Sequence, residues 1–275
     1  RDGLVEPVLV GDEEKICQIL KELDFDPAGA EIIHVPDPVE AAQKVAGLVR
    51  AGELDCVMKG KIETGPLMKV MVNREHGIRR KDTMSLVGFI DSPYYHKVFG
   101  VTDVGLLTYP NTEQKVAAIE NAAADLHNQS YGPDNARLAE AILALEPDAV
   151  LAAVENVNPK MPETVEAAQI KEMNQKGELT GCLVEGPISY DLAMDPESWK
   201  IKGYESPVAG DADILVVPNI VAGNILIKSL AFTGGAKTCG VIFGAMVPLI
   251  ITSRSSSVED KFMSIVMSAL VGGAK

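Results

Sequence analysis

The sequence is poor in several kinds of residue, and each shortage excludes a class of protein. Its four cysteines are scattered with no C-x-x-C spacing, which argues against a disulfide framework and favours reduced, buried thiols in a cytoplasmic protein. Aromatic residues make up only 5% of the chain and are not interleaved with basic residues, so a nucleobase-stacking surface is not predicted. With 39 acidic residues against 25 Lys and Arg, the formal charge of −14 would repel a nucleic-acid backbone or an anionic bilayer.

Long apolar runs and the common catalytic motifs are lacking as well. The longest apolar run, residues 239–252, is shorter than the ~20 residues of a membrane span and is broken by Gly244 and Pro248, so it predicts two buried strands around a bend. The dispersed histidines form no H-E-x-x-H pair, and there is no G-x-S-x-G elbow, Walker A sequence or G-x-G-x-x-G motif. The sequence therefore gives no reason to expect a resident metal.

What is present is an alternation of short apolar segments with helical patterns, which predicts an α/β fold with a sizeable core. Asp37, Pro38 and Glu40 mark one helix start clearly, as an N-cap, a first-turn proline and a capping acid. Predicted strands lie at 7–11, 31–36, 54–60, 149–154, 181–186 and 213–219, and predicted helices at 12–23, after 38, and at 111–126, 135–145, 161–174, after 222 and 256–270.

The pattern changes near Thr83. The segments MSLVGFI and KVFGVTDVGLLTY are separated only by the turn-like DSPYYH, as in an antiparallel pair, and a domain boundary is expected there. The chain opens without Met, and we expect a further βα unit ahead of residue 1. The apolar final helix, FMSIVMSALV, suggests a homodimer or a larger homo-oligomer.

The most specific local motif is TSRSSSVEDK, residues 252–261, which follows an apolar strand and opens the last helix. Hydroxyl groups and the Arg254 guanidinium meet a helix N-terminus there, and together they favour a phosphate. Ser253, Ser256 and Ser257 are the candidate hydroxyl donors. The alternative is purely structural, because Ser257 and Asp260 also have the spacing of a capping box. The local sequence does not decide between the two interpretations.

Two further segments place polar residues after predicted strands. Lys59 and Lys61 follow the strand at 54–60, and Thr64 begins the next helix, so these residues suit an anionic substrate or, equally, a solvated loop. In the segment 211–230, Asn219 and Asn224 can hydrogen-bond a polar ligand and Gly223 permits a close backbone approach, although an ordinary strand-to-helix turn uses the same residues.

Three long segments, 151–173, 206–230 and 247–265, resemble the phosphate acetyl/butyryl transferase family, and most closely its butyryl branch. The resemblance covers nearly the whole chain. It implies reversible transfer of a short acyl group, butyryl or a branched relative, between coenzyme A and inorganic phosphate through a ternary complex, with no cofactor beyond the CoA substrate. A partner acyl kinase in the same pathway is also implied.

The resemblance further implies a two-domain αβα architecture similar to that of isocitrate and isopropylmalate dehydrogenases, with the active site in the interdomain cleft. Residues 1–82 and 244–275 would form one domain, and residues 83–243 the other.

The family's site residues fall on Ser253, Arg254 and Asp260: the aspartate takes the thiol proton, the arginine binds phosphate, and the serine stabilises developing charge. The acetyl enzymes carry an arginine near the helix start at Thr64. Here Lys59, Lys61 or Lys69 is expected to replace it as a point cation.

Three rival functions remain at this point. The nearest is phosphate acetyltransferase. A nicotinamide-dependent decarboxylating dehydrogenase would share the architecture but needs acidic metal ligands, and the sequence shows no convincing D-x-x-x-D cluster. A non-catalytic small-molecule-binding protein on the same fold is the third.

Overall fold

A computed structural model of the chain describes residues 5–127, 147–253 and 256–272. The helix expected at 135–145 lies outside these residues, as does Arg254. The fold is of the mixed α/β class, as predicted, with helices packed on a central sheet.

The N-terminal part is a small parallel unit of two strands and two helices. Strands β1 (Val8–Gly11) and β2 (Glu31–His34) pair in parallel, and they are followed by α1 (Glu13–Glu22) and α2 (Pro38–Arg50) respectively. The Asp12 side chain accepts from Lys15 N, and the Asp37 side chain accepts from Val39 N and Glu40 N. These caps fix both helix starts where the sequence predicts them.

The remaining strands form an eight-stranded sheet in the order β3-β10-β9-β4-β5-β8-β6-β7. The strands are β3 (Val57–Met58), β4 (Ser85–Asp91), β5 (Phe99–Thr102), β6 (Pro147–Leu151), β7 (Leu183–Ile188), β8 (Ile214–Val216), β9 (Lys237–Phe243) and β10 (Leu249–Ile250). The helices are α3 (Thr64–Met71), α4 (Thr112–His127), α5 (Pro162–Gln175), α6 (Tyr190–Met194), α7 (Pro196–Lys202), α8 (Ile220–Phe232) and α9 (Val258–Gly272).

Strand directions in this sheet are mixed. Strand β4 runs antiparallel to both β5 and β9, and β9 runs antiparallel to β10, whereas β3 and β10 are parallel to each other. The predicted antiparallel pair after Thr83 and the two predicted strands within 239–252 are both confirmed.

The alternation of side chains along β4 divides the core into two faces. Val87 and Phe89 point to the face covered by α4 and α9, in a cluster that contains Val266 and Met267. The opposite face carries Ile90 and is covered by α8. A third cluster packs α2 and α3 against β3 and β10.

The structure differs from the sequence predictions in three details. Two short helices, α6 and α7, were not predicted. Helix α8 begins at Ile220 rather than at residue 222, because the Asn219 side chain caps it by accepting from Val221 N and Ala222 N. All four cysteines are free thiols, as predicted, but they are half-buried rather than fully buried.

Candidate functional site

The loops that follow β3 and β10 lie side by side. Lys59 N donates to Ile250 O at 2.9 Å, which continues the parallel pairing past the last strand residue. The Lys59 side chain then folds back, and its Nζ donates to Ile62 O at 3.0 Å. The two parallel strands therefore deliver residues 59–62 and 251–253 to the same end of the sheet.

Ser253, Ser256 and Ser257 lie between β10 and α9, and we call these three residues the serine turn. Ser256 N donates to Ser253 O at 3.1 Å before the helix begins. Ser253 and Ser257 are exposed, and Ser256 is half-buried. The turn presents hydroxyl groups at the positive end of a helix, which is a suitable arrangement for an anion.

Asp260 is held in a fixed orientation in the first turn of α9. Ser257 N donates to its Oδ2 at 3.0 Å, and Asp260 N donates to Ser257 Oγ at 2.9 Å, so the predicted capping box is formed. Its Oδ1 accepts from Thr238 N at 3.3 Å, which ties the helix start to β9. Each carboxylate oxygen accepts one backbone N–H and keeps further acceptor capacity for a proton or a ligand.

The Cys239 thiol lies beside this carboxylate. Burial, together with the Asp260 charge, raises the pKa of Cys239 to about 12. At neutral pH the thiol is therefore protonated and is a poor nucleophile. The arrangement favours Asp260, not Cys239, as the reactive group at this position.

The other cationic residues of the segment that follows β3 lie on the surface. Lys61, Thr64 and Lys69 are exposed, and α3 begins at Thr64 with Glu63 in the N-cap position. Lys69 lies on the side of α3 that faces α2. Among the described residues, neither Lys61 nor Lys69 forms an ion pair with a carboxylate, so both charges are available to an anionic ligand.

The polar residues of the segment 211–230 lie around the start of α8. Besides Asn219 at the N-cap, Asn224 Nδ2 donates to Val104 O at 3.4 Å. A Cβ atom at Gly223 would lie 2.8 Å from Asp103 O and 2.9 Å from Val217 Cγ2. The close approach that Gly223 permits is thus between α8 and the turn after β5.

The structure does not bring this third segment next to Asp260. Helix α8 packs on one face of the β4–β9 pair and α9 on the other. The helix starts also lie at opposite ends of β4: Thr238, which binds Asp260, is the register partner of Ile90, whereas Asp103, which touches Gly223, binds Leu86 N. Lys59, Ser253 and the start of α9 form one group, and Asn219, Gly223 and Asn224 form another.

Two residues that the sequence interpretation omitted shape these groups. Thr238 orients Asp260 through its backbone, and no local signal marks it because the contact depends on the packing of α9 on β9. Asp103 accepts from Leu86, Gly105 and Leu106 N–H groups at 2.6–2.8 Å, and burial raises its pKa against the effect of those donors. The Asp103-Val104-Gly105 sequence is typical of such a turn and could have identified it.

Neither a metal cluster nor a membrane span emerges from the part of the chain that the structure describes. No three His, Cys, Asp or Glu side chains there are grouped to hold a metal ion. None of the helices there is both long and apolar enough to cross a bilayer.

Comparison with known proteins identifies close relatives over almost the full chain. The profile of the phosphate acetyl/butaryl transferase family matches residues 35–269. A phosphate acetyltransferase of Thermotoga maritima is 42% identical over 272 residues, covering 98% of this chain and 87% of that protein. A phosphate butyryltransferase of Clostridium acetobutylicum is 35% identical over 275 residues, covering 100% of this chain and 87% of that protein.

A solved structure shares the fold. The branched-chain phosphotransacylase from Enterococcus faecalis V583 superposes with a TM-score of 0.78 at 30% sequence identity, and the match covers 98% of this chain and 99% of that one. The observed arrangement of sheet and helices is therefore that of a solved protein of similar length.

Proposed function

The chain belongs to the phosphate acetyl/butyryl transferase family, and from this we propose that it transfers a short acyl group reversibly between coenzyme A and inorganic phosphate. We take the acyl group to be butyryl or a branched relative. A full-length butyryltransferase relative and a branched-chain phosphotransacylase structure support this choice.

The observation that carries the proposal is the fixed carboxylate of Asp260 beside the serine turn at 253–257. A CoA thiol with an ordinary pKa of ~8.5 is mostly protonated at neutral pH and needs a base. Asp260 removes the S–H proton, and the sulfur lone pair forms a bond to the acyl carbon of the acyl phosphate. A positioned base of this kind contributes ~10² to 10⁴-fold to the rate.

The serine turn and nearby cations act on the phosphate side of the reaction. Attack gives a tetrahedral oxyanion, which hydroxyl and N–H donors near Ser253 stabilise before the C–O bond breaks and phosphate leaves. Arg254 provides a bidentate fork for that phosphate, with Lys59 and Lys61 as point charges on the adjacent loop. Transfer is direct, so no acyl-enzyme and no cofactor beyond CoA is required.

We place this chemistry in a cleft between two domains, 1–82 with 244–275 and 83–243, in an architecture similar to that of isocitrate dehydrogenase. The chain passes between the two proposed domains near residue 82 and again near residue 244. These two points lie together, because Arg80 N and Lys81 N both donate to Gly244 O at 3.0 Å. A Cβ atom on Gly244, whose φ is +82°, would lie 2.6 Å from Thr83 O. Such a compact crossing suits a junction between domains.

In the second group, Asn219 and Asn224 are proposed to contact a polar part of the substrate when the cleft is occupied, with Gly223 allowing α8 to approach the turn after β5. This role is separate from that of Asp260, because the two helix starts lie on different faces of the sheet.

We propose a cytoplasmic homo-oligomer that works alongside an acyl kinase. Besides the C-terminal helix, α8 supports self-association. Val221, Ile225 and Phe232 on this helix are 49%, 61% and 71% exposed, and the helix carries no carboxylate in a chain of charge −14. The acyl phosphate product is a reactive phosphoryl donor, which an acyl kinase would consume.

Steady-state thiol release from butyryl-CoA and acetyl-CoA, with and without phosphate, tests the proposal. Release that requires phosphate, accepts arsenate in its place and favours butyryl-CoA is the expected result. An acetyl preference would place the enzyme with the acetyltransferase relatives, and no phosphate-dependent release from either thioester would overturn the proposed activity.

A further inference from the structure

Helix α9 begins beside a part of β9 that β10 does not cover. Leu249 of β10 pairs with Ile242 of β9, near the carboxyl end of that strand. Closer to the amino end of β9, the N–H groups of Thr238 and Gly240 donate to side chains of α9. Because N–H groups two residues apart point to the same side of a strand, the first turns of α9 lie along this edge of β9.

Ser264 links Gly240 to Asp260. Its hydroxyl accepts from Gly240 N at 3.3 Å and donates to the main-chain oxygen of Asp260 at 2.8 Å. A serine hydroxyl can donate once and accept twice, so both bonds form at the same time. Ser264 has no exposed surface, so water does not compete for either bond.

Asp260 is therefore attached to β9 at two points. Thr238 N donates to its carboxylate at 3.3 Å, and Ser264 ties its main chain to Gly240. The contact with Thr238 orients one carboxylate oxygen, and the contact through Ser264 fixes the backbone that carries the carboxylate. Together they determine where the carboxylate lies relative to the sheet.

A third contact between β9 and the first turn of α9 lies on the surface. Lys237 Nζ lies 2.7 Å from Glu259 Oε1, and both side chains are 59% exposed. Exposed ion pairs of this kind contribute little, because water and salt screen them. The buried contact through Ser264 is the stronger constraint on the helix start.

Strand β9 also positions the other half of the site. Its partner strand β10 leads directly into the serine turn, where we place the phosphate. The base and the anion-binding turn are thus both held by β9. A displacement of 1 Å between reacting groups can lower a rate by about 10²-fold, so the attachment of Asp260 to this strand bears directly on turnover.

We propose that Ser264 is a positioning residue for acyl transfer, which holds the backbone of Asp260 on β9 so that the carboxylate lies within reach of the CoA thiol. The inference rests on the proposed function. Because Ser264 is fully buried, it acts through Asp260 and does not contact a substrate. The binding of butyryl-CoA and phosphate should therefore not depend on it.

Ser264→Ala and Ser268→Ala form a matched pair of variants. Ser268 lies one turn further along α9 and is equally buried, but within the described residues its Oγ has no hydrogen-bond partner. In Ser264→Ala, kcat should fall by about tenfold to 10²-fold, while the KM values for butyryl-CoA and phosphate stay within about twofold of wild type. Ser268→Ala should leave kcat unchanged. An unchanged kcat in Ser264→Ala, or an equal loss in both variants, would overturn the inference.

A double-mutant cycle separates positioning from a general loss of structure. In the Asp260→Asn background, Ser264→Ala should not lower kcat further, because the group that it positions no longer acts as a base. If Ser264→Ala lowered kcat by the same factor in both backgrounds, its role would be merely structural and the inference would fail.

Two isosteric substitutions test the hydroxyl itself. Ser264→Thr keeps the hydroxyl, whereas Ser264→Val has the same shape without it. The kcat of Ser264→Thr should exceed that of Ser264→Val by about tenfold, since only the threonine can bridge Gly240 and Asp260. Equal kcat values in the two variants would count against the bridge.

Amide hydrogen exchange of the wild type decides the matter if the variants do not fold. The Gly240 N–H should be protected, and exchange as fast as that of an exposed amide would overturn the proposed link. A wild-type protein without phosphate-dependent thiol release would refute the proposed function. An active wild type together with a fully active Ser264→Ala would refute the positioning role alone.

Discussion

Ser257 and Asp260 hold each other in place at the start of α9: the serine N–H donates to the carboxylate at 3.0 Å, and the serine hydroxyl accepts from the aspartate N–H at 2.9 Å. The local sequence left a phosphate site and a capping box as alternatives at this helix start, and the resemblance added a role as base for Asp260, which one residue could combine with capping. The geometry makes capping and the base role compatible, because capping uses only part of the acceptor capacity of the carboxylate and fixes its orientation.

Asp260→Asn should separate the two roles. The amide oxygen can accept from only one of the two backbone N–H groups that bind Asp260, so the free energy of unfolding should fall by about 1–2 kcal/mol, which leaves the protein folded. The amide cannot remove a proton, so kcat should fall by ~10² to 10⁴-fold with a smaller effect on KM. Urea unfolding and steady-state kinetics on the same preparation measure both. Loss of the folded state in parallel with loss of kcat would reduce Asp260 to a cap.

Arg254→Ala should act on phosphate rather than on CoA. Removing a bidentate fork should raise the KM for phosphate about tenfold or more, since hydrogen bonds to charged groups are worth about 1.5–3 kcal/mol. The KM for butyryl-CoA measured at saturating phosphate should change less. Small and equal effects of Arg254→Ala and Asp260→Asn would contradict the site as a whole.

Gly223→Ala should destabilise the protein by about 1–3 kcal/mol, because the new methyl group would lie within 3 Å of Asp103 O and Val217 Cγ2. Gly47→Ala in α2 is the control, because a methyl group at that position would point into open space. That substitution should stabilise the helix by up to about 1 kcal/mol. Chemical denaturation of the two variants gives the comparison, and a stabilising Gly223→Ala would refute the packing role.

Asp148 should make stability depend on pH. It is fully buried in β6, and within the described residues neither carboxylate oxygen has a hydrogen-bond partner at ordinary geometry. Burial raises its pKa well above the ordinary value, with the Asp213 charge acting in the same direction and the nearby Cys182 thiol against it. The folded state therefore holds this proton more tightly than the unfolded state does.

The sign of the effect follows from linkage. The contribution of Asp148 to stability is complete below the unfolded pKa of ~3.9 and is lost as the pH rises through the higher folded pKa. Relative to wild type, Asp148→Asn should become more stable across that window, by about 1.4 kcal/mol for each pKa unit of the shift. Chemical denaturation of the wild type and of Asp148→Asn from pH 4 to 8 measures this difference, and Asp91→Asn, the same substitution at an exposed position, is the control.

The exposed apolar side chains of α8 predict that a charge introduced on this helix would weaken self-association. Ile225→Glu should lower the molar mass measured by light scattering to that of one chain, because two like charges would face each other across a symmetric contact. Ile201→Glu changes a similarly exposed residue, 83% accessible, on α7 and should leave the mass unchanged. A wild-type protein that is monomeric in solution would contradict the self-association proposal.

The local features of the fold could be predicted from the sequence, since their causes are local. Asp12 and Asp37 mark helix starts because a side-chain oxygen satisfies N–H groups two or three residues away. Helix α6 was missed because its five residues are too few to show a period. Strand order was not predictable, because the pairing of β4 with β9 joins residues far apart in the chain.

Long-range pairing also limited how much of the candidate site could be predicted from the sequence. Asn219 and Ser253 both follow buried strands, and the sequence marks both as candidate ligand-binding residues without showing whether they lie together. Strands β8 and β10 differ in direction within the mixed sheet, however, and α8 and α9 cover different faces. Direction and face are set by long-range pairing, so neither segment carries a local signal that could have separated them.

Phosphorus NMR of butyryl-CoA and inorganic phosphate in the presence of the enzyme would decide whether the acyl group is transferred to phosphate. We expect an acyl phosphate resonance that grows in equal amount with free thiol and is lost, at matched protein concentration, in Asp260→Asn. Free thiol without acyl phosphate would indicate hydrolysis, and this result would contradict acyl transfer to phosphate.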